Sequence, residues 1–140
     1  IGNSQIKKLK NIIKIRQENF KLIRNTLLED NKFSDKFSII KENPNNSIVW
    51  FGIPIILRST EKSYKNKVTN KLNKLGIDTR PLISGNFAKQ PAIKLYKLKI
   101  NNDLKNADFI DRNSFFIGLH NTKTSMKTVQ FIKKALYESL

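Results

Sequence analysis

Residues 48–57 read "IVWFGIPIIL". A run this apolar, this short and this rich in β-branched residues is a buried strand, not a helix, and it is too short to cross a bilayer. Gly52 and Pro54 fall within it, and proline cannot donate to a ladder, so a bulge or an edge position is expected there. Downstream, Tyr64, Val68, Leu72 and Leu75 recur at helical spacing and Gly76 follows as the stop. "IDTRPLI" (77–83) then returns as a strand. "LKNADFIDR" (104–112) reads as a short helix and "SFFIG" (114–118) as a third strand. Thr124 or Ser125 caps a last helix bearing Met126, Val129, Ile132 and Leu136. Short strands interleaved with longer helices predict an α+β fold, a small and mostly antiparallel sheet covered by helices.

Upstream of the central strand, residues 29–47 are polar and turn-rich, with "ENPNNS" the clearest break. Before them a long helix is expected from an N-cap at Ser4 to about Leu28. At 100° per residue, Ile6, Leu9, Ile12, Ile13, Phe20, Ile23 and Leu27 share an arc roughly 120° wide. Ile15 and Leu22 form a second ridge away from it, expected to be more exposed than Ile12 and Phe20. A helix apolar on two sides lies between two bodies. With the start at Ile1, this predicts that the chain is the C-terminal piece of a longer protein. Arg16 falls inside the main arc, either as a snorkelling stem or as a buried guanidinium paired with a carboxylate beyond these residues.

The 140 residues suffice for one domain with a real core. There is no cysteine, hence no disulfide frame and no thiolate metal site, which fits a reducing cytoplasm. No signal peptide or membrane-spanning run is apparent. The net charge of +16 and a pI near 10.2 raise nucleic acid as a partner. Against that, the basic residues are mainly lysine, with arginine only at 16, 24, 58, 80 and 112, and they are spread along the chain. Base-edge readers favour arginine, so a solvated lysine surface is the better reading.

Two prolines, a glycine and two side-chain amides crowd the loop "TRPLISGNFAKQP" (79–91). Asn86 and Gln90 each offer donor and acceptor groups, Gly85 permits close backbone approach, and Arg80 can pair with phosphate or carboxylate. The same residues also suit a purely structural turn, with Asn86 bonded to its own backbone and Arg80 in an ion pair between domains. No glycine-rich phosphate loop, nucleophile triad or metal-ligand spacing is present. His120 is the only histidine. Asp108 and Asp111 read as surface charges or caps.

Taken together, "WFGIPIIL", "GIDTRP", "SGNFAKQPA", "NADFID" and "FFIGLH" resemble, in this order and spacing, the C-terminal small domain of the DegT/DnrJ/StrS family. That resemblance implies pyridoxal-phosphate-dependent sugar aminotransferases and dehydrases with the aspartate-aminotransferase fold (fold type I). They act on nucleotide-linked keto-deoxy sugars for lipopolysaccharide and other surface polysaccharides. Residues 1–28 would be the linking helix from a missing N-terminal cofactor domain, and residues 29–140 the small domain. Where many of the aminotransferases carry a proline- and histidine-containing loop, this chain has Gly85-Asn86-Phe87 followed by Gln90-Pro91, closer to the sugar 3-dehydrase branch.

The resemblance further implies pyridoxal phosphate or pyridoxamine phosphate held mainly by the N-terminal domain. It implies a homodimer and a substrate wall drawn from Arg80, Ser84, Gly85, Asn86, Phe87, Gln90 and His120. The Schiff-base position would lie upstream, so none of the 22 lysines takes that role, no catalytic residue is assigned, and the chain alone is expected to be silent. Transamination and dehydration both stay open. The rival of another class is a stand-alone basic module for RNA or anionic glycan.

Overall fold

The computed structural model describes residues 2–140. A short helix α1 (Gly2–Ile6) and a long α2 (Leu9–Leu28) open the chain, followed by α3 (Asn31–Ser34) and β1 (Phe37–Ile39). Then come β2 (Gly52–Leu57), α4 (Tyr64–Lys74) and β3 (Thr79–Pro81). Two 3-10 turns (Phe87–Lys89 and Pro91–Leu95) lead to α5 (Lys105–Asn113), β4 (Ser114–Gly118) and α6 (Met126–Ser139). The strands form one antiparallel sheet in the order β1-β2-β4-β3.

Alternation along the strands sorts the side chains. Phe37 and Ile39, Ile53, Ile55 and Leu57, and Phe115 and Ile117 join one buried cluster with Phe20, Ile23 and Leu27 of α2, Val68 and Leu72 of α4, and Val129, Ile132 and Leu136 of α6. Each such side chain, taken from water, stabilises the fold by about 1.5–3 kcal/mol. The register pairs Gly52 with Gly118, Pro54 with Phe116, and Arg80 with Phe116, so these residues share the opposite face. α5 contacts β2 and β4 but lends nothing to the cluster.

Several expectations hold. Gly76 sits at φ +83 and ends α4 in a Schellman arrangement. The Ile77 N–H donates to the Leu72 carbonyl and the Gly76 N–H to that of Asn73, both at 3.0 Å. Ser125 caps α6 by accepting from the Thr128 N–H at 3.1 Å. Pro54 lies in the part of β2 that β1 does not reach, since Ile39 pairs with Ile55, so it has a strand on one side only.

Others are corrected. The first helix is broken at Lys7–Lys8, and Ser4 lies within α1, not at a cap. Ile6 and Leu9 are 68% and 51% exposed, so no packing spans the break. Ile15 is buried and Ile12 only half-buried, reversing the predicted order. The buried face of α2 is Ile15, Asn19, Phe20, Ile23, Thr26 and Leu27, an arc of about 140° turned by about 50° from the predicted one. Asn19 and Thr26 are the cause, two polar residues inside the true face. Leu22 packs against the core. The second ridge is therefore partly taken up by this chain, with Ile15 buried and Leu22 half-buried, while Ile6 and Leu9 of the predicted main face stay exposed.

The central strand is shorter than the apolar run. Residues 48–51 lie outside it because β4 ends opposite Gly52. Trp50 instead stacks on Phe20 at 5.3 Å and donates to Glu42 at 2.9 Å. Its register is continuous, so there is no bulge. The segment 29–47 contains α3 and β1, each too short to show a period. Met126 begins α6 on its exposed side.

Candidate functional site

β3 runs straight into the loop, and the chain reverses through Ile83 (φ +51) and Gly85 (φ +58). A β-branched residue in the left-handed region is strained, and Ile83 is 71% exposed, so no burial compensates it. Gly85 is required for a second reason. A Cβ there would collide with the carboxylate of Asp111 on α5.

Asn86 caps the 3-10 turn that follows. It is 4% exposed, and both ends of its amide are engaged. Oδ1 accepts from the Ala88 N–H at 3.1 Å, and Nδ2 donates to Asp108 Oδ1 at 2.5 Å. Lys89 Nζ reaches the same carboxylate oxygen at 2.6 Å. Lys89 first, then Asn86, holds the Asp108 carboxyl below the usual carboxylate range. Gln90 Nε2 donates to the Ser84 carbonyl at 2.8 Å and closes the loop. The loop presents Ile83, Ser84, Phe87 and Lys89 to solvent, with Phe87 54% exposed.

Arg80 and His120 belong to a different surface. Both line an open groove of about 670 Å³ with an apolar floor that includes Ile77, Ile117, Leu119 and Ile132. Arg80 pairs with Asp78 at 3.1 Å, but both side chains are well exposed. Such a pair contributes about 0–1 kcal/mol and leaves the guanidinium available.

The loop carrying His120 is tied to α2 by a residue the hydrophobic pattern passed over. Asn19, 2% exposed, donates to the carbonyls of His120 (3.2 Å) and Thr122 (2.8 Å) and accepts from the Thr124 N–H (2.9 Å). Arg16 adds a bond from Nε to Asn121 Oδ1 at 2.7 Å, so its partner is an amide of this chain. Of the predicted wall residues, the structure thus brings Arg80 and His120 together and gathers Ser84, Gly85, Asn86, Phe87 and Gln90 into a separate turn. Asp108, Asp111 and Asn19 were missed as organisers. Their signals were the three-residue spacing of the two aspartates on α5 and an asparagine within an apolar helix face.

The sheet order and its helical cover are those of part of a fold-type-I pyridoxal-phosphate sugar aminotransferase or dehydrase. The DegT/DnrJ/EryC1/StrS aminotransferase family model matches residues 1–136, and the chain belongs to that family. It is 29% identical over 121 residues to the GDP-4-keto-6-deoxy-D-mannose 3-dehydratase of Escherichia coli O55:H7, covering 86% of this chain and 30% of that protein. To the enzyme of the same name from Yersinia pseudotuberculosis it is 31% identical, covering 86% and 29%. The solved E. coli GDP-4-keto-6-deoxy-D-mannose-3-dehydratase with bound hydrated pyridoxal phosphate superposes with a TM-score of 0.82 at 26% identity, over 96% of this chain and 33% of that one. The chain therefore spans about a third of the length of the relatives it matches.

The residues here do not build a pyridoxal phosphate site by themselves. The ring nitrogen needs a buried carboxylate and the aldehyde a sheltered amine. The buried polar residues among those described are Asn19, Thr26, Asn86, Asn113, Ser114 and Ser139, with no carboxylate or lysine among them. Asp108 is already committed to Asn86 and Lys89.

Proposed function

We propose that these residues are the C-terminal small domain of a cytoplasmic, homodimeric enzyme that uses pyridoxal or pyridoxamine phosphate on a nucleotide-linked 4-keto-6-deoxy sugar, in surface polysaccharide biosynthesis. Residues 1–28 link to the cofactor domain and residues 29–140 form the small domain. The observation that carries this reading is the similarity, over 86% of the chain, to two GDP-sugar 3-dehydratases. It favours removal of the 3-hydroxyl over transamination. Among the described residues no helix is long and apolar enough to cross a membrane.

In this reading the cofactor supplies the carbanion chemistry, and this chain supplies part of the sugar-facing wall. Arg80 offers a charged fork for the diphosphate. His120 and Ser84 offer polar groups at the rim, and Phe87 offers an aromatic face. Gly85, Asn86 and Gln90 serve the wall by fixing its shape. A strained, internally bonded turn with an exposed aromatic residue is the kind of loop that function retains against stability.

The test is kinetic, in the enzyme of the relatives' length. Arg80→Ala, Phe87→Ala and His120→Ala should each raise KM for GDP-4-keto-6-deoxy-D-mannose by at least roughly threefold, the loss of one contact of about 0.5–1.5 kcal/mol, with Tm within about 2 °C of wild type. Unchanged KM in all three would refute the wall.

A further inference from the structure

A second organised polar cluster lies where α5 meets the motif loop, and the wall described above uses only the loop's side of it. Asp108 Oδ1 takes two donors, Asn86 Nδ2 at 2.5 Å and Lys89 Nζ at 2.6 Å, from the cap and the last residue of the 3-10 turn bearing Phe87. One turn further along α5, the Asp111 side chain fills the space beneath Gly85, while its carbonyl accepts from Lys65 Nζ of α4 at 2.5 Å. Arg112 Nε donates back to the Asp108 carbonyl at 3.3 Å. The turn's own bonds, Asn86 Oδ1 to Ala88 N–H and the Asn86 carbonyl to Lys89 N–H, close it on itself. What remains directed outward is the half-exposed Phe87 ring.

We infer that Asp108 is a positioning residue for substrate binding: by gathering Asn86 and Lys89 on one carboxylate oxygen, it fixes the turn that presents Phe87 to the sugar. This rests on the proposed sugar wall and goes beyond it, because Asp108 itself touches no ligand. A helix-borne carboxylate suits the task. It is acceptor-only when ionised, so it can hold an amide and an ammonium at once, and α5 is anchored at β4 through the Ser114 hydroxyl, which donates to the Ile110 carbonyl at 2.5 Å. Freed from Asp108, a 3-10 turn of three residues beside two left-handed residues has little to hold it.

A double-mutant cycle tests this in the enzyme of the relatives' length. Asp108→Ala and Phe87→Ala should each raise KM for GDP-4-keto-6-deoxy-D-mannose roughly threefold to tenfold, with kcat changed less than twofold. The double variant should be no worse than the poorer single, since one change acts through the other. Asp108→Asn keeps the shape and an acceptor and should recover part of the loss. In parallel, hydrogen exchange at the Ala88 amide of the 140-residue chain should quicken in Asp108→Ala. Additive KM effects would overturn the inference, as would a lowered Tm with unchanged KM. If Ala88 exchange quickens as expected but the wild-type enzyme turns over no nucleotide sugar, the clasp is real. The failure then lies in the sugar-wall reading, and the positioning role falls with it.

Discussion

Asn19→Ala is the substitution whose cost the structure specifies best. The side chain is 2% exposed and makes three hydrogen bonds to a single loop: to the carbonyls of His120 and Thr122 and from the Thr124 N–H. Alanine removes all three and strands three backbone groups beneath α2. An unsatisfied buried group costs about 1–3 kcal/mol, and water at the loop's edge relieves some of that, so a total of about 2–4 kcal/mol is expected. At about 2.1 cal/mol/K per residue, 140 residues unfold with an entropy near 0.3 kcal/mol/K, so Tm should fall by about 7–14 °C. The assay is paired thermal and urea unfolding of the 140-residue chain, with hydrogen exchange at the Thr124 amide reporting the loop itself. Asn19→Asp should be no better, because it loses both donors and buries a charge. A loss below about 0.5 kcal/mol, with Thr124 protection intact, would mean the loop holds without Asn19, and the reasoning would fail.

Three further outcomes are expected. Hydrogen bonds from Lys67 hold Glu61 low, those from Lys105 hold Asp103, and those from Lys89 then Asn86 hold Asp108. Depressed carboxyl values stabilise the fold at neutral pH, and that contribution is lost as pH falls through them. Tm should therefore be level from about pH 8 to 5, decline below about pH 4, and decline less steeply in Asp108→Asn, as a pH series of melts would record. Gly76→Ala should cost about 1 kcal/mol or slightly more from backbone strain alone, since φ is +83 and nothing lies within 4 Å of the added methyl; urea unfolding measures it. If the lysines are a solvated surface, binding of a generic RNA should be weak and vanish by about 0.2 M salt in a filter assay. Retention at that salt would revive the binding-module reading.

The parts of the fold legible in the sequence are those fixed by local chemistry. Gly76 ends α4 because only a residue free of Cβ strain closes that motif, Ser125 caps α6 with its own hydroxyl, and the alternation of Phe115 and Ile117 belongs to β4 wherever it is placed. The parts that were not legible depend on distant partners. β1 is three residues long and exists because Ile55–Leu57 offer it a ladder. The orientation of α2 turns on Asn19 and Thr26: the burial of Asn19 makes sense only once the loop after β4 is in place, while the Thr26 hydroxyl donates to the Leu22 carbonyl of its own helix.

The site divides the same way. Arg80 and His120 enter one wall through the family resemblance, and the fold does bring them to one groove, Arg80 within β3 and His120 just past the adjacent β4. For the loop's amides the sequence leaves two readings, groups that face a ligand or a turn in which Asn86 bonds its own backbone, and the Ala88 N–H bond to Asn86 Oδ1 is of the second kind. Only the fold shows Asn86 turned inward to Asp108, 22 positions away, and Gly85 seated on Asp111.

Mass analysis of the turnover product most directly tests the central claim, that this chain serves a nucleotide-sugar enzyme of the 3-dehydrase kind. The enzyme of the relatives' length would be supplied with pyridoxal phosphate, L-glutamate and GDP-4-keto-6-deoxy-D-mannose. The account predicts a GDP-sugar that has lost the oxygen at C3 and kept its carbonyl. A product with an amine in place of the carbonyl oxygen would assign transamination instead, and recovery of unchanged substrate would contradict the account.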